Sequence, residues 1–210
     1  LLPHSLIYTF QVIPNIEGFG VWAAKCNFTM GPDGKMYSRM LGGNLVRIDV
    51  ENARGENLTN GDLVGTKDGS AYGLVFDPQD ENVFYFSNND KHCIYKYDLR
   101  TKECACWAGQ EGKSGYLDGP IGQAMFNKPG QMCVDSEGNI ILTDTENHCI
   151  RKITMSTGYV STLAGKPQNS GYVNGSAEDA QFKKPLGICI DNDDVMYIGD
   201  SENRAIRRLA

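Results

Sequence analysis

The sequence predicts an all-β fold built from repeated antiparallel units. Glycine-rich turn clusters such as PDGK, TNGD and DSEGN recur along the 210 residues, which include 24 glycines. Short runs rich in β-branched and aromatic residues, such as NIILTD and VMYIGD, lie between these clusters. No apolar run with helical periodicity is long enough to compete with this interpretation. The third observation, an internal repeat, shows how the strands are grouped.

The repeat appears when the sequence is compared with itself at a shift of 56 residues. Residues 108–153 then align with residues 164–209 without a gap, and 17 of the 46 positions are identical. The identical pairs include Gly109 with Gly165, Tyr116 with Tyr172, Pro129 with Pro185, and Asp144 with Asp200. One structural unit has therefore been copied along the chain.

Two fainter copies precede these, in residues 28–49 and 73–98. Each copy reads strand, turn, strand, turn, strand, and a fourth strand follows in the clearer copies. Four antiparallel strands in a unit of about 40–60 residues are typical of a β-propeller blade. The sequence therefore predicts one domain over residues 1–210, with blade cores at about 24–50, 73–109, 130–165 and 187–210.

The best copy carries a family resemblance. The segment GYLDGPIGQAMFNKPGQMCVDSEGNIILTDTENHCIRKI, followed by GYVSTLAG, resembles the NHL repeat, closely over residues 105–210 and loosely over 24–104. The resemblance implies a six-bladed propeller. Since the sequence accounts for about four blades, we expect it to be part of a longer chain. Blade one departs from the pattern, with Arg39 aligned to Asn88, Asp144 and Asp200.

A second resemblance concerns the linkers that precede blades three and four. Their SGY.DG-like pattern is similar to bacterial, Bacteroidetes-type surface proteins in which NHL repeats follow an IPT/TIG domain. That likeness implies a preceding IPT/TIG domain and an extracytoplasmic location, in the periplasm or at the cell surface. The first residues, LLPHSLIYTF, lack the basic region and cleavage site of a signal peptide.

Charge and hydropathy exclude two classes of partner. The net charge of −6 argues against a nucleic-acid-binding surface. No apolar run approaches the roughly 20 residues of a membrane helix, so we expect no membrane insertion in this segment. The seven cysteines form no CxxC motif, and we expect free thiols rather than a disulfide framework.

The turn between strands two and three, TDTENHC in blade three, allows two interpretations. In the first, Asp144 accepts hydrogen bonds from the turn, Asn147 takes a positive φ, and His148 pairs with a nearby carboxylate or carbonyl. The replacement of His148 by Arg204 in blade four favours this interpretation. In the second, the same turns and the linkers present ligand-binding groups on one rim of the propeller.

The second interpretation yields a set of rim residues whose mixture of carboxylates, amides, arginines and tyrosines suits a polar ligand such as a glycan. The predicted ligand-binding residues are Arg39, Asn88, Asp90, Tyr116, Asp144, Glu146, Tyr172, Asp200, Glu202 and Arg204.

No cofactor is evident from the sequence, although calcium is one option. Asp77, Asp135 and Asp191 each end an inner strand, so they could form a carboxylate ring that holds Ca²⁺ or could cap the following turn. No catalytic motif is present. We therefore predict a non-enzymatic propeller that binds a glycan or protein. The alternative is a hydrolase or lyase of the six-bladed type with a metal at the channel axis.

Overall fold

The structure, a computed structural model, describes residues 24–40, 44–59 and 72–210. Over these residues it confirms the predicted all-β fold and the four antiparallel blades arranged as in a propeller. The strands of blade one are β1 (Ala24–Met30), β2 (Met36–Met40), β3 (Leu45–Asp49) and β4 (Arg54–Asn57). Those of blade two are β5 (Leu74–Phe76), β6 (Val83–Asn88), β7 (Cys93–Asp98) and β8 (Cys104–Ala108).

Blades three and four contain the clear sequence repeat. Blade three comprises β10 (Pro129–Val134), β11 (Ile140–Asp144), β12 (Cys149–Thr154) and β13 (Tyr159–Ala164), with the short β9 (Gly119–Pro120) of the preceding linker paired to its outer edge. Blade four comprises β14 (Pro185–Ile190), β15 (Met196–Asp200) and β16 (Ala205–Leu209). One-turn 3-10 helices, Thr145–Asn147 and Ser201–Asn203, join strands two and three of these blades.

The blades follow one another around the axis in chain order. The innermost strands contact their neighbours in the sequence β1, β5, β10, β14, and successive sheets pack face to face. Because side chains alternate across a strand, each sheet contributes apolar residues to both of its neighbours. In β11, Ile140 and Leu142 pack towards blade two whereas Ile141 packs towards blade four. Burial of each such side chain stabilises the fold by about 1.5–3 kcal/mol.

An aromatic cluster fills the junction of blades one and two. Tyr37 packs edge-on against Phe76 with ring centroids 4.8 Å apart, and Phe86 stacks on Tyr95 at 5.4 Å. Phe84, which is fully buried, contacts four of the surrounding rings. This cluster explains why blades one and two keep the fold although their sequences match the repeat only loosely.

The register of blade one corrects the sequence alignment at Arg39. Arg39 lies opposite Leu45, in the position that Thr143 holds opposite Ile150. The residue of blade one equivalent to Asp144 is therefore Met40, which pairs with Ala24 as Asp144 pairs with Pro129. The alignment by residue type was wrong by one position because the second hairpin of blade one is shorter.

Among the described residues, no helix has the length and apolar character needed to cross a bilayer.

Close packing between the inner strands supplies a test of the fold. A Cβ at Gly130 would lie 2.4 Å from Thr143 Oγ1 and 3.0 Å from the carbonyl oxygen of Leu186 in blade four. We expect Gly130→Ala to destabilise the protein by about 1–3 kcal/mol, measured by urea denaturation. Gly122→Ala is the matched control, because a Cβ there meets no atom within 4 Å. Equal midpoints for the two variants would contradict this packing.

Candidate functional site

The rim that carries the strand two-to-three turns is organised around a buried arginine. Arg151, at the third-strand position opposite Leu142, is fully buried. Its Nη1 donates to Asp144 Oδ2 at 2.7 Å and to the carbonyl of Met125 at 3.1 Å. Its Nη2 donates to Asp118 Oδ1 at 2.6 Å and to the carbonyl of Leu117 at 2.9 Å. One guanidinium therefore ties the turn, the third strand and the linker together.

Two aromatic rings flank this guanidinium. The Cζ atom of Arg151 lies 4.9 Å from the ring centroid of Tyr116 and 5.1 Å from that of Phe126. The hydroxyl of Tyr116 in turn lies 2.8 Å from Thr162 Oγ1 on the fourth strand. Cation–π contacts and charge-assisted hydrogen bonds offset the cost of burying the charge.

Asp144 completes the network from the end of β11. Its Oδ1 accepts the backbone N–H of Asn127 at 2.8 Å, and its Oδ2 accepts the side-chain amide of Asn147 at 2.9 Å as well as Arg151. Burial raises the pKa of Asp144 to about 6, while Arg151, Asn147 and Asn127 act in the opposite direction. The carboxylate is thus mostly ionised at pH 7 and matches the guanidinium charge.

Blade four repeats this network, which we call the clamp. Arg207 donates to Asp200 Oδ2 at 3.0 Å and to Asn174 Oδ1 at 2.8 Å, and its Cζ lies 5.3 Å from the Tyr172 ring centroid. Asn203 donates to Asp200 at 2.8 Å. The repeated sequence positions are therefore explained by one repeated buried interaction.

The turn itself corrects two details of the sequence interpretation. Positive φ falls on His148 (59°) and Arg204 (53°), one residue after the predicted asparagines. The asparagine side chains serve the clamp instead, and Asn147 also donates to the carbonyl of Gly115 at 2.8 Å. In blade two the positive φ is likewise at the histidine, His92 (55°).

The histidines act as hydrogen-bond acceptors, where a donor was predicted. His92 Nδ1 accepts the backbone N–H of Lys128 at 3.1 Å, and His148 Nδ1 accepts that of Lys184 at 3.2 Å. Each lysine immediately precedes the inner strand of the next blade. Each histidine ring therefore joins the turn of one blade to the start of the inner strand of the next blade, and we call this contact the histidine latch.

A row of alternating charges lies above the clamps and remains accessible to solvent. Each acidic member lies two residues after the last residue of a second strand. Each lysine lies directly before the inner strand of blade three or blade four. Lys184 Nζ lies 3.4 Å from Glu146 Oε1 and 3.0 Å from Glu202 Oε1, bridging blades three and four. Side-chain exposure is 38% for Lys184, 28% for Glu146 and 40% for Glu202. We call this set the charged row: Asp90, Lys128, Glu146, Lys184 and Glu202.

The predicted rim residues divide into two groups. The strand two-to-three turns and linkers do lie at the same end, since Asn147 and Glu146 hydrogen-bond to linker carbonyls. The buried residues are Arg39, Asn88, Asp144 and Asp200, and Tyr116 is half-buried in the clamp. The solvent-accessible ones are Asp90, Glu146, Tyr172, Glu202 and Arg204. Their contact with a ligand stays a prediction.

The three calcium candidates lie at the opposite end of the blades. Asp135 Oδ1 accepts the N–H of Asn139 at 2.7 Å, and its Oδ2 lies 3.0 Å from Lys152 Nζ. Asp77 and Asp191 likewise accept backbone N–H groups of their own turns. Within the described part of the chain, no group of three histidine, cysteine or acidic residues is arranged to hold a metal.

The structure also has a cleft at that opposite end, which the sequence did not predict. It has a volume of about 710 Å³ and lies where the first three blades meet. Its lining includes Thr29, Phe76, Gln79, Glu81 and Val134. No repeated motif marks it, because it combines residues that differ from blade to blade.

Repeated antiparallel blades joined by linker clamps define a β-propeller repeat protein. Residues 126–153, which contain the clamp aspartate, asparagine and arginine of blade three, match the NHL repeat family.

The chain is also similar in sequence to two curated proteins. The chain is 28% identical over 173 residues to Protein SUPPRESSOR OF QUENCHING 1, chloroplastic, of Arabidopsis thaliana, which covers 79% of this chain and 16% of that protein. It is 30% identical over 149 residues to NHL repeat-containing protein 2 of Gallus gallus, covering 70% of this chain and 19% of that protein. The chain thus spans under a fifth of these relatives.

Solved structures from Bacteroides are also similar. A protein of unknown function from Bacteroides thetaiotaomicron superposes with a TM-score of 0.79 at 26% identity, over 86% of this chain and 46% of that one. A protein from the same organism described as an auxiliary nutrient binding protein gives 0.73 at 28% identity, over 87% and 46%. A streptogramin B lyase, at 0.60 and 16% identity over 88% and 50%, shares the fold.

The clamp gives a prediction about stability. We expect Arg151→Met to lower the free energy of unfolding by about 3–5 kcal/mol, because it leaves Asp144 buried without its counter-charge. Urea denaturation with Asp144→Asn and the double variant should reveal a coupling energy above about 0.5 kcal/mol. Arg100→Met, at an exposed ion pair, is the control and should leave the midpoint nearly unchanged. Additive effects of the two clamp variants would contradict the network.

The histidine latch gives a prediction about pH. Burial, followed by the nearby Lys128 charge, lowers the pKa of His92 in the folded protein, and Asp90 opposes the shift. The unfolded chain then binds more protons below about pH 6.5, so stability is lost as pH falls from 7 towards 5. We expect His92→Gln, which keeps an acceptor without titrating, to flatten this loss in thermal unfolding measured across that range. Parallel pH profiles for the two proteins would rule out the latch.

Proposed function

We propose that this chain is part of a non-enzymatic propeller that binds a polar nutrient at the clamp-bearing rim, with a glycan as the favoured ligand class. The charged row carries the proposal. It presents carboxylates and ammonium groups from three successive blades. The hydrogen bonds that hold the rim together are made by the buried clamps, so the groups of the charged row are not needed for them.

The composition of the charged row matches a ligand rich in hydroxyl groups. A carboxylate such as Glu146 accepts hydrogen bonds and an ammonium such as Lys184 donates them, so one hydroxyl can satisfy both. Tyr172, 63% exposed on the linker of blade four, offers an apolar face of the kind on which sugar rings stack. The structures described as auxiliary nutrient binding proteins support a binding role.

An extracytoplasmic location and a preceding IPT/TIG domain belong to the same proposal, as does closure of the propeller by six blades. The IPT/TIG domain rests on the linker resemblance and the six blades on the NHL resemblance. The location rests on the linker resemblance and on two structures described as auxiliary nutrient binding proteins, from Bacteroides thetaiotaomicron and Bacteroides ovatus. Calcium stays an option for the full protein, outside the charged row. The hydrolase or lyase alternative has support from fold alone, since the lyase structures are 16% identical to this chain.

Ligand binding at the charged row can be tested directly. The protein is screened on a glycan array, and a hit is measured by isothermal titration calorimetry against Glu146→Gln, Lys184→Met and Glu202→Gln. Each variant should weaken binding about 5- to 30-fold, since one charge-assisted hydrogen bond contributes about 1–2 kcal/mol. Glu81→Gln, a carboxylate change in the cleft at the other end, is the matched control and should bind normally.

Other outcomes separate the alternatives. Loss of binding in Glu81→Gln with full binding in Glu146→Gln would overturn the proposal and assign the ligand to the opposite cleft. An array without any hit, together with capture of a defined protein ligand that depends on Lys184, would replace the glycan by a protein. Turnover of the ligand, followed by chromatography of the products, would support the enzyme alternative.

A further inference from the structure

Blade two departs from the clamp seen in blades three and four. By strand register, Asn88 takes the position of Asp144 and Tyr95 that of Arg151. Tyr95 is fully buried, and its hydroxyl makes no well-formed hydrogen bond among the described residues. Its polar neighbours are Glu111 and the thiol of Cys93. The ion pair that joins strand, turn and linker elsewhere is therefore missing from this blade.

Two cysteines occupy the same region of blade two. Cys93 begins β7 and is fully buried, while Cys106 lies on the neighbouring strand β8 and is half-buried. The pairing shifts by one residue at Trp107, since Ile94 faces Ala108 but Tyr95 faces Cys106. Because alternate residues of a strand share a face, Cys93 lies on the same face as Tyr95, and Cys106 lies opposite Tyr95. The two cysteines are therefore diagonal neighbours on adjacent strands.

Contacts with Gly109 place both sulfur-bearing residues at one point. The Sγ of Cys106 lies 3.7 Å from the carbonyl oxygen of Gly109. A Cβ built on Gly109 would lie 3.2 Å from the Cα of Cys93. Both residues pack in the same apolar cluster, and each thiol affects the pKa of the other. In blade three the corresponding residues are Cys149 and Thr162, so that blade lacks the cysteine pair.

We propose that Cys93 and Cys106 form a disulfide that joins strands three and four of blade two beneath the clamp-bearing rim. The reaction is thiol–disulfide exchange with a small disulfide such as oxidised glutathione. Two protein S–H bonds are replaced by one S–S bond, and the small disulfide is reduced to two thiols. The inference is independent of the proposed ligand.

The order of attack follows from exposure and hydrogen bonding. Cys106 is the accessible thiol, and the hydrogen bond from Cys93 lowers the pKa of Cys106 against the effect of burial. Its thiolate attacks the small disulfide, forms a mixed disulfide and releases the first thiol. The Cys93 thiol then loses its proton to the departing thiolate and attacks the Cys106 sulfur, which releases the second thiol.

The disulfide closes a short loop, residues 93–106, and thereby restricts the unfolded chain. It also anchors the start of the 109–114 segment, which contains Glu111 and leads into the linker of blade three. Cys104 lies two residues from Cys106 on the same strand and shares its face, so it cannot bridge to Cys106. The competing pair is Cys133 with Cys189 on adjacent inner strands, close enough to affect each other electrostatically.

The test uses the full chain, reduced and then equilibrated with oxidised glutathione. Tryptic peptides are mapped by mass spectrometry without reduction. We expect the Cys93 and Cys106 peptides to be cross-linked, with a loss of two hydrogens that dithiothreitol reverses. Oxidation should raise the midpoint of thermal unfolding by about 5 °C or more. Cys149→Ser, the matched buried cysteine of blade three, should keep both effects.

Cys93→Ser and Cys106→Ser should each abolish the cross-link, and Cys106→Ser should also lack the glutathione adduct. If Cys93→Ser does not fold, the folded variant Cys106→Ala serves instead, and we expect it to show no cross-link. A stable glutathione adduct on Cys106 without a cross-link would overturn the proposal. A cross-link only between Cys133 and Cys189, or one that involves Cys26, would overturn it as well.

Discussion

The burial of one guanidinium is the constraint on which the rest of the rim depends. Arg151 has no contact with solvent, and a charge in that position is tolerable only if its donors find partners and its counter-charge lies within reach. Those partners come from three places: the end of the second strand, the linker carbonyls and the carboxylate of Asp118. Because no single segment can supply them, the linker and turn must fold together. The same requirement fixes the aspartate, the asparagine and the tyrosine in blades three and four.

This constraint also distinguishes the rim residues that stabilise the fold from those that remain available to a ligand. Asp144 and Asp200 are fully buried and surrounded by intramolecular donors, which leaves them little capacity for a ligand. The neighbouring acidic position is different. Glu146 and Glu202 reach solvent and face Lys184, and these charges can exchange one partner for another without leaving a buried group unpaired. Binding groups placed above a rigid clamp also lose less freedom on association than groups on a mobile loop.

The sequence predicted the blades because the repeat preserves residue types that the fold needs in fixed positions. It could also propose that Asp144 holds the turn, since an acidic residue at a strand end has a common structural use. Three details were predicted wrongly: the position of Arg39, the residue with positive φ, and the hydrogen-bonding role of His148. They depend on strand register and backbone conformation, which residue identity does not reveal. Arg39 was aligned by its polarity, although alternation along the strand sets its true position opposite Leu45. The positive φ and the acceptor role of His148 follow from hydrogen bonds to the next blade, 36 residues away. The opposite cleft had no repeated residue to reveal it.

The two blades without the clamp differ in the residues that stand in its place. In blade one the equivalent positions are Met40 and Val46, both apolar, so the third strand has no buried polar group to satisfy there. In blade two the hydroxyl of Tyr95 is buried at the position where blade three has the guanidinium of Arg151. It carries no charge that could bind the turn and the linker together. Hydrogen bonding alone cannot replace an arginine that reaches four acceptors. A covalent bond between Cys93 and Cys106 acts on the same strands at the same end and needs no counter-charge. Blade two would then hold its third and fourth strands together by sulfur chemistry where blade three uses electrostatics.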